Sequence, residues 1–178
     1  MTRGRKFLQT ARAELTPERL FAGVLALGML LRPALAADDD ALARMALCKD
    51  SWVDWQKSDP AKMKAFVARF ATEFVPHDND PFALPKSDVS VLGFRVIRAF
   101  PESVGMAVGF SLSVDATYDD ARKALEKALG KPLQKCETGD DMRMCELEIA
   151  PQRSAVLNAE DKPGAHDTLI GCYYFYEK

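Results

Sequence analysis

Val104-Gly105-Met106-Ala107-Val108-Gly109-Phe110-Ser111-Leu112-Ser113-Val114 is the stretch that decides the fold class. Val104, Met106, Val108, Phe110, Leu112 and Val114 occupy every second position, and Gly105, Ala107, Gly109, Ser111 and Ser113 fill the positions between. Successive side chains of a strand point to opposite faces, so this is a β-strand with one apolar face and one face of small residues. Upstream, Leu92, Phe94 and Val96 alternate with Gly93, Arg95 and Ile97 over a β-rich run at 88–100, and Pro101-Glu102-Ser103 forms a turn. The two runs predict an antiparallel hairpin.

Helical signals flank this hairpin. Leu42, Met45, Cys48, Trp52 and Trp55 recur at helical spacing, predicting one helix over 38–57 with three aspartates at its positively polarised start. Asp59-Pro60 opens a second helix, with Met63, Phe66, Val67, Phe70 and Phe74 as its apolar stripe. Residues 75–87 hold three prolines without periodicity and read as a loop. After the hairpin, Thr117 caps a third helix that Gly130 and Pro132 end. Further strands are predicted at 133–137, 143–150, 153–159 and 167–176, with Asp161 to Gly164 as a turn. The fold class is therefore α+β: a mainly antiparallel sheet of about five strands, with two N-terminal helices and one between strands packed on it.

All four cysteines, Cys48, Cys136, Cys145 and Cys172, fall within this region. Cys136 and Cys145 flank a segment with turn chemistry at its centre, so a hairpin would set them opposite each other. Cys48 and Cys172 would then tie the first helix to the last strand. The expected disulfides are Cys136–Cys145 and Cys48–Cys172, contributing about 2.5–3 and about 5 kcal/mol at most in the chain-entropy picture. The cysteines lack the close C-x-x-C spacing of zinc and redox sites.

The N-terminus explains an even cysteine count. Arg3, Arg5, Lys6, Arg12 and Arg19 precede the apolar run Leu20 to Leu31, and Ala34-Leu35-Ala36 follows. Basic stretch, short apolar stretch and small-residue site are the signature of a secretory signal peptide over 1–36, cut between Ala36 and Ala37. The run is shorter than the ~20 residues of a spanning helix, so no permanent span is expected after cleavage. Export makes the periplasm or the extracellular medium the expected location, where disulfides persist. Removing 36 of the 178 residues leaves 142, expected to form a single domain at 37–178. The removed segment carries six basic and two acidic residues; the remainder has 18 basic against 24 acidic, a net of −6. An acidic domain has no electrostatic attraction for nucleic acid.

Motifs for catalysis are missing. There is no G-x-S-x-G, HExxH or phosphate-binding glycine loop. His77 beside Asp78 and Asp80, and His166 beside Asp167, read as surface loop residues. No catalytic residue, metal site or cofactor is expected. Two features remain as candidate binding residues. One is the small face of the central strand, with Gly105, Gly109 and Ser111, which lets something approach the backbone closely. The other is the aromatic end of the last strand, where alternation groups Tyr174 and Tyr176 with Cys172 and sets Tyr173 with Phe175 on the opposite face. Tyrosines at a surface suit protein recognition. Three functions follow in order: an exported protein-binding module (inhibitor, adaptor or assembly factor) with an envelope protein partner, a small-molecule-binding protein, and a hydrolase using carboxylates or His77.

Overall fold

The computed structural model describes residues 40–101 and 107–175. The predicted signal segment, its cleavage site at Ala36 and Ala37, and the candidates Gly105 and Tyr176 lie outside the described residues. In chain order the elements are α1 (Ala41–Ala46), α2 (Trp52–Ser58), α3 (Pro60–Glu73), β1 (Phe74–Pro76), β2 (Ala83–Pro85), β3 (Ser90–Val91), β4 (Phe94–Phe100), β5 (Ala107–Val114), α4 (Tyr118–Leu129), β6 (Glu137–Thr138), β7 (Met142–Ala150), β8 (Arg153–Glu160) and β9 (Thr168–Phe175).

The strands make one antiparallel sheet in the order β1-β2-β4-β5-β9-β8-β7-β6, with β3 paired to β4 beside that path. The hairpin around the deciding stretch forms as β4 and β5, with Val96 opposite Val114 and Ala99 opposite Leu112. The last strand lies between β5 and β8, where Phe110 faces Cys172 and Cys172 faces Ala155.

Helices α1, α3 and α4 pack on one face of this sheet, and α2 packs on α3. The first lies on β5 and β9, and α4 lies on β8 and β9. Phe66 and Phe70 of α3 meet Phe110 edge-on at centroid distances of 5.7 and 6.3 Å. Leu42, Met45, Leu112, Leu125, Leu157 and Ile170 fill the space between the layers. Both disulfides form in the expected pairing. Cys48–Cys172 joins the helical layer to β9, and Cys136–Cys145 staples the segment before β6 to β7.

The α+β class holds, but the sheet has nine strands rather than about five, and the helices divide differently. Residues 38–57 do not make one helix. The chain leaves α1 through a turn in which Cys48 takes a left-handed φ of 56°, which ends a helix and aims the sulfur at Cys172. Ser51 then caps α2, its hydroxyl accepting the Asp54 N–H at 3.1 Å. The apolar spacing stays in phase across this turn, so periodicity cannot reveal it.

Residues 75–87 are not a plain loop either. Phe74 pairs with Pro85 and Pro76 with Ala83, a short hairpin whose prolines sit at strand ends where a missing N–H is tolerated. Leu92 and Gly93, at φ 55° and 86°, turn the chain between β3 and β4 instead of continuing a strand. Of the strand predicted at 133–137 only Glu137 pairs with β7, and the pairing continues to Thr138 beyond it. Val67 is 50% exposed, because Met63, Phe66 and Phe70 already span the stripe that α3 turns inward.

Candidate functional site

The face of the sheet turned away from the helices carries the small residues of β5. Three cross-strand rows build it. Gly109 lies opposite Tyr173, which lies opposite Ser154; Ser111, Gly171 and Val156 form the next row; Ser113, Leu169 and Asn158 form the third. Partners across an antiparallel pair share a face, so these nine positions are contiguous.

The small residues have a local cause. A Cβ on Gly109 would meet the Tyr173 ring at 2.6 Å and the Cys172 carbonyl oxygen. A Cβ on Gly171 would meet the Ser111 Cβ and, at 2.7 Å, the Phe110 carbonyl oxygen. The close approach inferred from the sequence is therefore made by the neighbouring strand, with the tyrosine ring laid across the glycine. Tyr173 is half-buried; that burial, partly offset by a hydrogen bond with Ser111, holds its hydroxyl above the ordinary tyrosine range.

Beyond β5 the face continues onto β4, where Phe100 lies opposite Ser111 and Arg98 opposite Ser113. Asp167 accepts hydrogen bonds from both Arg98 and the Ser113 hydroxyl. The Arg98 guanidinium stands 5.6 Å from the Phe82 ring, Phe82 meets Phe100 edge-on at 5.9 Å, and His77 stacks on Phe82 at 5.2 Å. On the far side, β7 presents Met142 and Met144, 42% and 40% exposed. The face thus runs from an aromatic group at one side, across a floor of small residues, to two methionines at the other.

Tyr174 does not join it. It points to the helix side with Cys172, packed against Cys48 and Ala155. The two tyrosines are separated by the sheet as the alternation predicts, and the half-buried Tyr173 is on the side away from the described helices. Arg98, Asp167, Phe82 and Phe100 were not singled out from the sequence. Arg98 and Asp167 are 69 positions apart, and no local pattern joins them.

The chain matches no family model, no curated protein and no solved structure.

The polar groups of the described residues are held in pairs. Ser113 is buried, and its hydroxyl donates to a carboxylate that Arg98 neutralises, not to an imidazole that could take its proton. His166 instead sits 3.5 Å from Asp115, which is paired with Arg95 at 2.8 Å. His77 is held by Asp80 at 2.6 Å. Asp115, Glu126 and Glu160 are each held below the ordinary carboxylate range by a hydrogen bond from a basic neighbour, Arg95, Arg122 and Lys162 respectively. A general acid needs the opposite displacement. No group of three or more His, Cys, Asp or Glu gathers as metal ligands would among the described residues.

A separate cleft of about 390 Å³ opens between the helices. Trp55 and Phe66 line it, with Arg44 and Lys62 around Asp50 and Arg69 alongside. Burial pushes the Asp50 carboxyl up, but hydrogen bonds and charge from Arg44 and Lys62 outweigh this and hold it low. No described helix is long and apolar enough to cross a membrane.

Proposed function

We propose that this protein is an exported, non-catalytic binding module of the cell envelope, an inhibitor, adaptor or assembly factor that works by holding another protein. The observation that carries this reading is the position of Tyr173 on the face of the sheet that no described helix covers, between the Phe82–Phe100 pair and the methionines of β7. Aromatic residues, arginine and methionine are the types enriched where proteins meet. A rigid tyrosine locked over Gly109 presents its surface at small cost in side-chain entropy. Two disulfides support a life in an oxidising compartment, with the periplasm as the first choice.

The test is photocrosslinking in cells. A photoreactive amino acid replaces Phe100, Met144 or, as a control on the outer side of α4, Lys123, and captured proteins are identified by mass spectrometry. One partner shared by the Phe100 and Met144 positions and missing at Lys123 is the expected result. No capture at either face position, or the same capture at all three, would overturn the proposal.

A second reading rests on the cleft beside Trp55 and Phe66, whose apolar floor and basic rim suit a small anion with an apolar body. It ranks second because the rim cations are engaged. Arg44 and Lys62 bind Asp50, and Arg69 binds Asp40 and Glu73. A ligand there would have to displace these pairs. Quenching of Trp55 fluorescence by a series of aromatic carboxylates measures that directly, and a flat titration for the whole series removes this reading.

A further inference from the structure

The two disulfides differ in what surrounds their sulfurs. Cys48 and Cys172 are 1% and 0% exposed, closed in by Ala155, Leu129 and Tyr174. Cys136 is exposed, whereas its partner Cys145 is 0% exposed. The Tyr118 hydroxyl donates a hydrogen bond to the Cys145 sulfur at 2.9 Å. The Arg143 guanidinium lies 4.0 Å from the Tyr118 ring centroid, which strengthens the phenol as a donor.

We propose that Cys136–Cys145 is a thiol-exchange site, attacked at Cys136 by an external dithiol, with Cys145 as the departing sulfur and Tyr118 as the donor that stabilises it. Exchange requires a thiolate to reach a disulfide sulfur opposite the leaving one, and its rate rises as the leaving thiolate is stabilised. Only the Cys136 sulfur belongs to an exposed residue, and only Cys145 has a hydroxyl aimed at it.

The bonds balance as follows. The incoming thiolate forms a sulfur–sulfur bond to Cys136, and the Cys136–Cys145 bond breaks with its electron pair going to Cys145. The Cys145 thiolate keeps the Tyr118 hydrogen bond and later takes a proton from solvent. The second thiolate of the external dithiol then attacks its own partner sulfur and releases Cys136, which is protonated in turn. The dithiol is oxidised by two electrons, and the protein disulfide becomes two thiols. A monothiol first gives the mixed disulfide at Cys136, which a second monothiol molecule resolves by the same exchange, released as the oxidised dimer of the thiol.

Cys136 lies outside the core cluster, of which Cys145 is a member. Cys136 lies beside β6, which is held to β7 through only two residue pairs, Glu137 with Met144 and Thr138 with Arg143. Burial keeps the Tyr118 hydroxyl titrating above its ordinary range, so it remains a donor at neutral pH.

The experiment starts from the folded protein with both disulfides formed. It is treated with reduced glutathione under native conditions, quenched in acid, alkylated and mapped by mass spectrometry. Glutathione on Cys136 with the alkyl group on Cys145 is expected; glutathione on Cys145 would overturn the proposal. A dithiothreitol time course should open Cys136–Cys145 while Cys48–Cys172 stays closed, and loss of both at one rate would overturn it. Tyr118→Phe should slow the opening of Cys136–Cys145 roughly five- to tenfold, the value of one hydrogen bond, relative to Cys48–Cys172 in the same sample. An unchanged or faster opening would assign Tyr118 no part. The glutathione map on the unaltered protein stands even if that variant does not fold.

Discussion

The Asp50 carboxylate sits in the turn between α1 and α2, its side chain 9% exposed, accepting from Arg44 Nε at 2.7 Å and Lys62 at 3.3 Å. A folded-state pKa below the ordinary aspartate value means that the carboxylate contributes stability above about pH 4, and that this contribution fades as pH falls further. Asp50→Asn is expected to destabilise the domain by about 1.5–3 kcal/mol at neutral pH through its lost charged hydrogen bonds. Urea midpoints of the two proteins should then converge below about pH 4; a gap that stays constant through acid would show that the charge is not the cause. Gly171→Ala tests packing instead. Its added methyl would run into Ser111 and the Phe110 carbonyl, so a loss of about 1–3 kcal/mol is expected in the same assay. Gly93→Ala meets no atom within 4 Å, but its φ of 86° makes it a test of backbone strain, not of space.

At the scale of elements, the helix break at Cys48 is the clearest departure from what the sequence shows. Ser51 restarts the chain as α2, and Ser51→Ala should cost about 1 kcal/mol by leaving the Asp54 N–H without its acceptor. Thermal denaturation reads this as a drop of a few degrees; no change would mean that the disulfide alone sets the break.

Where one rule of chemistry dominated an element, it was legible. The period-two run of β5, the Thr117 cap, the left-handed Gly130 that ends α4, and the Cys136–Cys145 pairing follow from local pattern, and Cys48–Cys172 is the pair that remains. The short strands β1, β2 and β3 did not, because each is two or three residues long and is defined by partners such as Ala99 and Arg95 elsewhere in the chain. The helix-free face was half legible. Alternation assigned Gly109, Ser111 and Tyr173 to faces, but neither it nor propensity could bring Arg98, Asp167 and Phe82 beside them, since those contacts arise from sheet order.

For the whole molecule, Cys48–Cys172 spans 124 positions and bonds the helical layer to the strand at the centre of the sheet. Replacing both cysteines by serine should remove up to about 5 kcal/mol, comparable with the total stability of many domains of this size. Circular dichroism of that double variant should show an unfolded or molten chain at physiological temperature, whereas the Cys136→Ser, Cys145→Ser double variant should remain folded with a lower melting point. Equal losses in the two would mean that loop length does not govern these bonds.

The order of strands also sets a clock. Residues 168–175 are made after every other described strand, yet they separate β5 from β8 in the finished sheet. While the chain is being synthesised, β4–β5 and β7–β8 can each pair as hairpins, but no earlier segment can join them. Cys48 is made 124 positions before Cys172 and has to wait for it. The sheet therefore closes only once residues 168–175 are present, and until then the two hairpins have no common strand to join them.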